Sequence, residues 1–213
     1  MQLKRENGVI FAVDVGDKKR ALVICEDVKG YVDAIKVGYP LILNAGIGII
    51  EELKRFGKPV IADLKVADIP EISARICELA GRADYVIVHG FVGEDMVKAC
   101  SDVVSIFVVA EMSHPGARDF MEECSEEIAA LAKGYARGIV APATRPERIK
   151  KLRKVVGDLL IISPGVKAQG AKVGDAIKAG ADFEIIGRGI YEAEDPARAA
   201  KEFSGAIKGL LAN

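Results

Sequence analysis

Histidine and cysteine are scarce in this chain: two and four among 213 residues. Cys25, Cys77, Cys100 and Cys124 stand far apart with no CxxC pair, and His89 and His114 are not at zinc-ligand spacing. Neither a zinc site nor a disulfide framework follows from such a pattern. Cys25, Cys77 and Cys100 fall in helix-like segments and read as free, packed thiols. Long hydrophobic runs are also missing. The apolar stretch near the start is broken at Asp14, too early for a secretion signal, and no run approaches the roughly 20 residues of a membrane span. A cytoplasmic protein with no membrane partner is expected. Charge of one sign is not in excess either: 30 Lys and Arg face 31 Asp and Glu, a formal net charge of −1. No general basic field invites nucleic acid, so an anionic ligand must be held by a local cluster of donors. No Pro/Gly/Ser-rich linker divides the chain, and residues 1–213 are expected to form one domain.

What is present is an eightfold alternation. Short apolar, β-branched runs cover Val9–Val15, Ala34–Tyr39, Pro59–Val66, Tyr85–Phe91, Ser105–Met112, Gly138–Ala143, Leu159–Val166 and Phe183–Gly189. Runs of this kind suit strands buried on both faces of a parallel sheet. Amphipathic segments separate them. Ile128, Leu131 and Ala132 share one helical face, as do Ile149, Leu152, Val155 and Val156 between Pro146 and Gly157. Asp195 followed by Pro196 reads as the cap and first turn of a last helix. Eight such units in about 210 residues predict an α/β fold, a single (β/α)₈ TIM barrel at the small end of its size range. The rival doubly wound sheet should carry a Gly-rich fingerprint after its first strand. Here that place reads Asp-Val-Gly-Asp-Lys-Lys, with neither GxGxxG nor a P-loop.

A barrel of this type works at the C-terminal ends of its strands. Those ends carry residues that an apolar core would not select: Asp14, Lys36, Asp63, Lys65, Ser113, His114, Pro164 and Arg188. Asp14 has a bland alternative as a helix cap, but a buried Lys36 needs a partner. Asp63 and Lys65, two apart on a strand, point to the same side and into the mouth. Asp68 lies past the strand and reads equally well as a helix N-cap, with Pro70 and Glu71 in the first turn. A lysine between carboxylates should stay protonated, which suits a proton donor better than a Schiff-base nucleophile. The ends of strands seven and eight are the usual phosphate corner. Ser163–Gly170, with Pro164, Gly165, Val166, Gln169 and Gly170, offers a donor-rich loop there, and Gly187 and Arg188 offer amides and a guanidinium. A solvated surface turn is the alternative for Arg188.

These segments resemble a known family. DLKVADIPE (63–71), IKVGYP (35–40), VHGF (88–91), EMSHPG (111–116), ATRPER (143–148), SPGVKAQG (163–170) and IIGRGIY (185–191) are similar, in order, to the short archaeal orotidine 5′-phosphate decarboxylases. DxKxxD alone is shared with sugar-phosphate enzymes of the superfamily; together with EMSHPG and PGVxxQG it is far more specific. The resemblance implies decarboxylation of orotidine 5′-monophosphate to uridine 5′-monophosphate, the last step of pyrimidine nucleotide synthesis. It implies Lys36, Asp63, Lys65 and Asp68 as the charged array, with Lys65 protonating C6. Asp14 would bind ribose, Ser113 the pyrimidine edge, and Gln169, Gly187 and Arg188 the phosphate. A homodimer is implied, Asp68 and Ile69 reaching into the partner's site, and no metal or organic cofactor. Two positions depart from the pattern: Ile72, where relatives often have Thr, and Gln169–Lys172, which reads Gln-Gly-Ala-Lys for Gln-Gly-Gly-Asp. The competing expectations are a magnesium-dependent keto-sugar-phosphate decarboxylase or aldolase, and a non-catalytic nucleotide-phosphate-binding barrel.

Overall fold

A computed structural model describes residues 1–211. Eight parallel strands, β1 (Val9–Ala12), β2 (Ala34–Gly38), β3 (Val60–Val66), β4 (Tyr85–His89), β5 (Ile106–Val109), β6 (Gly138–Val140), β7 (Leu160–Pro164) and β8 (Phe183–Ile186), follow one another around a closed barrel. β1 closes it, pairing with β2 on one side and β8 on the other. The main outer helices are α1 (Lys18–Val28), α2 (Tyr39–Ala45), α3 (Ile49–Lys54), α4 (Pro70–Leu79), α5 (Glu94–Ser101), α6 (Ser125–Ala132), α7 (Pro146–Val156) and α10 (Pro196–Leu211). Two single turns, α8 (Asp175–Lys178) and α9 (Arg188–Tyr191), stand before and after β8. The expected (β/α)₈ barrel is the fold observed. Among the described residues no helix is long and apolar enough to cross a membrane.

Period-two alternation divides the core into two layers. Ile10, Ile61, Tyr85, Phe107, Ile162 and Phe183 fill the barrel. Their strand neighbours, such as Phe11, Ile35, Val86, Val108 and Ile161, pack outward against the helices. Inside, the Tyr85 and Phe107 rings meet tilted at 5.3 Å, and burying a side chain of that size is worth roughly 2–3 kcal/mol. Gly138 is required in this packing, because a Cβ there would sit 2.2 Å from the Leu160 carbonyl oxygen and 2.7 Å from Phe107. Pro146 opens α7 and Gly157 ends it at φ 61°. Asp195 accepts from the Arg198 amide at 2.9 Å, as its cap position requires. Cys25, Cys77 and Cys100 are buried free thiols on α1, α4 and α5.

Most strands are shorter than their apolar runs at the C-terminal end. β1 stops at Ala12 rather than Val15, and β8 at Ile186 rather than Gly189. Past these ends single main-chain bonds persist, such as Val13 N to Lys36 O at 2.9 Å and Ala143 N to Pro164 O at 3.0 Å, before the chain turns away. Arg188 is consequently the first residue of α9.

At the opposite, N-terminal rim, three aspartates tie the strand starts together. Asp33, before β2, accepts from the amides of Asn7 at 2.9 Å and Gly8 at 2.7 Å. Asp84, before β4, accepts from Val60 N at 2.9 Å, and Asp182, before β8, from Ile161 N at 2.8 Å. Each carboxylate satisfies donors that would otherwise end the ladder unpaired.

Candidate active site

The C-terminal mouth opens into a cavity of about 340 Å³. Its floor is the top interior layer of the barrel, with Ala12, Ile87, Val109 and Ile185 among the lining. One wall carries a chain of alternating charges. Lys36 Nζ lies 3.5 Å from Asp14 Oδ1 and 2.7 Å from Asp63 Oδ2. The second Asp63 oxygen, Oδ1, takes Lys65 Nζ at 2.7 Å. Lys36 and Asp63 are buried, whereas about a third of the Lys65 side chain remains open.

The four charges sum to zero, so each is compensated, and deleting any buried member would strand its neighbour at a cost of about 3–5 kcal/mol. Burial alone would raise the Asp63 carboxyl, but the Lys36 and Lys65 ammonium groups outweigh it and hold it at about 2. Burial likewise opposes charge on Lys36, and Asp63 with Asp14 overrides it, leaving that ammonium above its ordinary value. His89, at the end of β4, behaves in the opposite way. Burial, with Lys65 adding to it, lowers its imidazole from 6.5 to about 4, and its Nδ1 has no hydrogen-bond partner.

β3 is irregular where it delivers Lys65. Between Ala62 and Val66 it sets four residue steps against the two from Val86 to Val88 of β4. Lys65 sits within that bulge at φ 44°, a left-handed conformation that costs an L-residue about 1 kcal/mol. Leu64 still faces the outer core, so Asp63 and Lys65 both line the cavity.

Across the cavity lie Pro164, Gly165, Val166, Gln169, Gly187 and Arg188. The loop after β7 folds on itself, with Lys167 N bonded to Ala171 O at 2.8 Å and Gly170 N to Lys167 O at 3.0 Å. Its far end is anchored by Glu184, a fully buried carboxylate that accepts from Gly174 N at 2.8 Å and Ala176 N at 3.2 Å. Burial pushes that carboxyl above its ordinary value, the amides of Gly174, Ala176 and Ile177 opposing. The loop after β5 is braced from behind. Glu111 Oε1 and Oε2 receive Arg145 Nε at 2.9 Å and Arg148 Nε at 2.8 Å. Thr144 Oγ1 donates to the Ser113 carbonyl at 2.8 Å, and Ser113 and His114 line the cavity.

The geometry thus gathers Asp14, Lys36, Asp63, Lys65, Ser113, Pro164, Gly165, Val166, Gln169, Gly187 and Arg188 around one space. Gly170 bends the loop at φ 96° without lining the cavity. Asp68 and Ile69 are exposed outside the cavity of their own chain. Nor is Asp68 the N-cap of its alternative reading. Ile69 holds that position, and Asp68 Oδ1 accepts only from the adjoining Ile69 amide at 2.7 Å. Ser73 Oγ instead engages the Asp68 backbone, at 3.1 Å from its amide and 2.9 Å from its carbonyl. Tyr191 also lines the cavity, and the interior floor residues do so too; neither was singled out in the sequence, because an apolar strand residue and an aromatic helix residue look like core.

Fold and cavity together define a (β/α)₈ protein with an alternating Asp–Lys array facing an amide- and guanidinium-lined anion corner. The model of the orotidine 5′-phosphate decarboxylase / HUMPS family matches residues 7–203, and the chain belongs to that family. An orotidine 5′-phosphate decarboxylase of Methanosarcina acetivorans is 53% identical over 218 residues, covering 98% of each chain. That of Pyrococcus furiosus is 45% identical, covering 94% of this chain and 97% of the relative. Among solved structures, orotidine 5′-monophosphate decarboxylase from Methanocaldococcus jannaschii complexed with the inhibitor BMP superposes with a TM-score of 0.90 at 44% identity, covering 97% of this chain and 99% of that one.

Proposed function

We propose that the protein decarboxylates orotidine 5′-monophosphate to uridine 5′-monophosphate. The observation that carries this reading is Asp63 gripped by two ammonium groups at 2.7 Å each, one of them open to the cavity. In the reaction the C6–carboxylate bond breaks, CO₂ leaves, and the bonding pair stays on C6 with little resonance relief. A fixed cation beside C6 stabilises that charge in a water-poor site, then supplies the proton that completes the product. Lys65 has this role, and Asp63 and Lys36 hold it in place. Asp14 binds ribose hydroxyls, Ser113 the pyrimidine edge, and Gln169, Gly187 and Arg188 the phosphate, with Pro164, Gly165, Val166 and Gly170 shaping that loop. Binding energy from the phosphate, remote from C6, orients the base. The scheme needs no metal or organic cofactor.

The working unit of this proposal is a homodimer of single-domain chains, located in the cytoplasm. Asp68 does not line its own cavity, and Ile69, Ile72 and Leu79 are exposed apolar residues on α4 and its entrance. A second copy covering those residues would bring Asp68 and Ile69 to the neighbouring array. The magnesium-dependent alternative would want Asp63 free for a cation, yet both its oxygens already hold ammonium groups.

Loss of orotidylate ultraviolet absorbance, followed with and without EDTA, tests the reading. Turnover unaffected by chelator is expected; turnover abolished by EDTA favours the sugar-phosphate alternative, and no turnover favours the non-catalytic one.

A further inference from the structure

The peptide unit joining Leu64 to Lys65 is held from outside its own strand. Tyr39, the first residue of α2, donates its phenolic hydrogen to the Leu64 carbonyl at 2.6 Å. The last β2 register partner of β3 is Asp63, opposite Gly38, and pairing with β4 resumes only at Val66. Leu64 and Lys65 therefore lie outside the regular register, where an unheld carbonyl is free to rotate. Rotation of this one peptide plane sets the φ of Lys65, which stands at 44°. In the extended conformation natural to a strand, the Lys65 side chain would leave on a different course. Its Nζ would lose the 2.7 Å contact with Asp63 Oδ1. Tyr39 opens α2 where β2 ends. It follows β2 directly, one residue after Gly38, whose own site is crowded: a Cβ there would lie 3.1 Å from Asp14 Oδ1. The phenol lies outside the cavity lining and is half exposed, so it touches neither the reacting centre nor the core.

From this we infer that Tyr39 is a positioning residue for Lys65: its hydroxyl locks the bulged peptide that aims the ammonium at the reacting carbon. The role rests on the decarboxylase reading above. Substrate binding through Asp14, Gln169 and Arg188 does not pass through this peptide, so the effect falls on the chemical step.

The test is Tyr39→Phe, which removes one oxygen from a half-exposed ring. One lost hydrogen bond of this kind corresponds to roughly a tenfold fall in kcat. KM, the dissociation constant of uridine 5′-monophosphate and Tm are expected to stay near wild-type values. Wild type and Lys65→Ala are assayed in parallel. A Tyr39→Phe kcat within twofold of wild type overturns the role. So does a fall in kcat accompanied by equal weakening of product binding or by a large loss of Tm, which marks a merely structural tyrosine. If wild type itself leaves orotidylate untouched, the decarboxylase reading fails and this role with it; if wild type is active, only Tyr39 is on trial.

Discussion

The two rims of the barrel use the same residue type at strand ends for opposite purposes. At the base, Asp33, Asp84 and Asp182 each accept a backbone amide at a neighbouring strand start, Asp84 also meeting Lys54 at 3.5 Å and Asp182 also meeting Arg153 at 2.6 Å. They serve the strand starts, and none of the three lines the mouth cavity. At the mouth, Asp14 and Asp63 meet lysine ammonium groups, and the chain of charges ends on a Lys65 that is partly open. A carboxylate that accepts the amides at strand starts stabilises the fold. One whose oxygens hold the ammonium groups of side chains facing a cavity sets up an electrostatic field that a ligand can use. The aspartate is the same; its donors decide its job.

The sharpest way to break the comparison is to exchange the symptoms. Lys65→Ala at the mouth is expected to lower kcat by at least about 10⁴-fold, with Tm displaced by only a few degrees. Near-normal turnover would remove Lys65 from the chemistry. Asp33→Ala at the base is expected to do the reverse. Leaving the Asn7 and Gly8 amides without an acceptor costs about 3 kcal/mol, or roughly 10 °C in Tm, and kcat of the folded fraction is unchanged. Thermal unfolding beside an activity assay separates the two, and a base variant that kept its Tm but lost kcat would dissolve the distinction.

His89 offers a smaller effect, close to the mouth but structural in kind. Its folded value of about 4 lies below the ordinary 6.5, so the neutral imidazole is favoured by folding. Its contribution is fully present above pH 6.5 and is lost as pH falls through 4, at most about 3 kcal/mol. Asp63, held at about 2 rather than 3.8, loses its share only as pH falls below 4. Urea unfolding of His89→Gln should therefore show a flatter decline between pH 6.5 and 4 than wild type; equal slopes would mean that His89 does not carry this linkage. The smallest signal comes from mixing Lys65→Ala with Asp68→Ala. In a shared-site dimer, random subunit exchange rebuilds about a quarter of the sites. Full exchange with no recovered activity would confine Asp68 to its own chain.

Much of this was legible beforehand. Eight β-branched runs separated by amphipathic segments specify the barrel because burial on both faces of a strand leaves few other patterns. The polar residues at their ends marked the mouth, since the core would have excluded them. The strands are shorter than their apolar runs, because hydrophobicity reports burial and not the length of a regular ladder. Asp68 carried a cap alternative because DIPE has the composition of one. The backbone instead placed Ile69 at the N-cap and gave the adjoining polar contacts to Ser73. Tyr39 carried no signal at all: its partner is a main-chain carbonyl 25 residues away.

The sequence by itself determined the fold and the identity of the charged residues, because side-chain period and polarity are local properties that survive without coordinates. Only the tertiary structure decided which oxygen of Asp63 meets which lysine, how β3 bulges to present Lys65, and which aspartates serve the base. Those depend on where distant backbone donors come to rest, and that is settled only when the barrel closes.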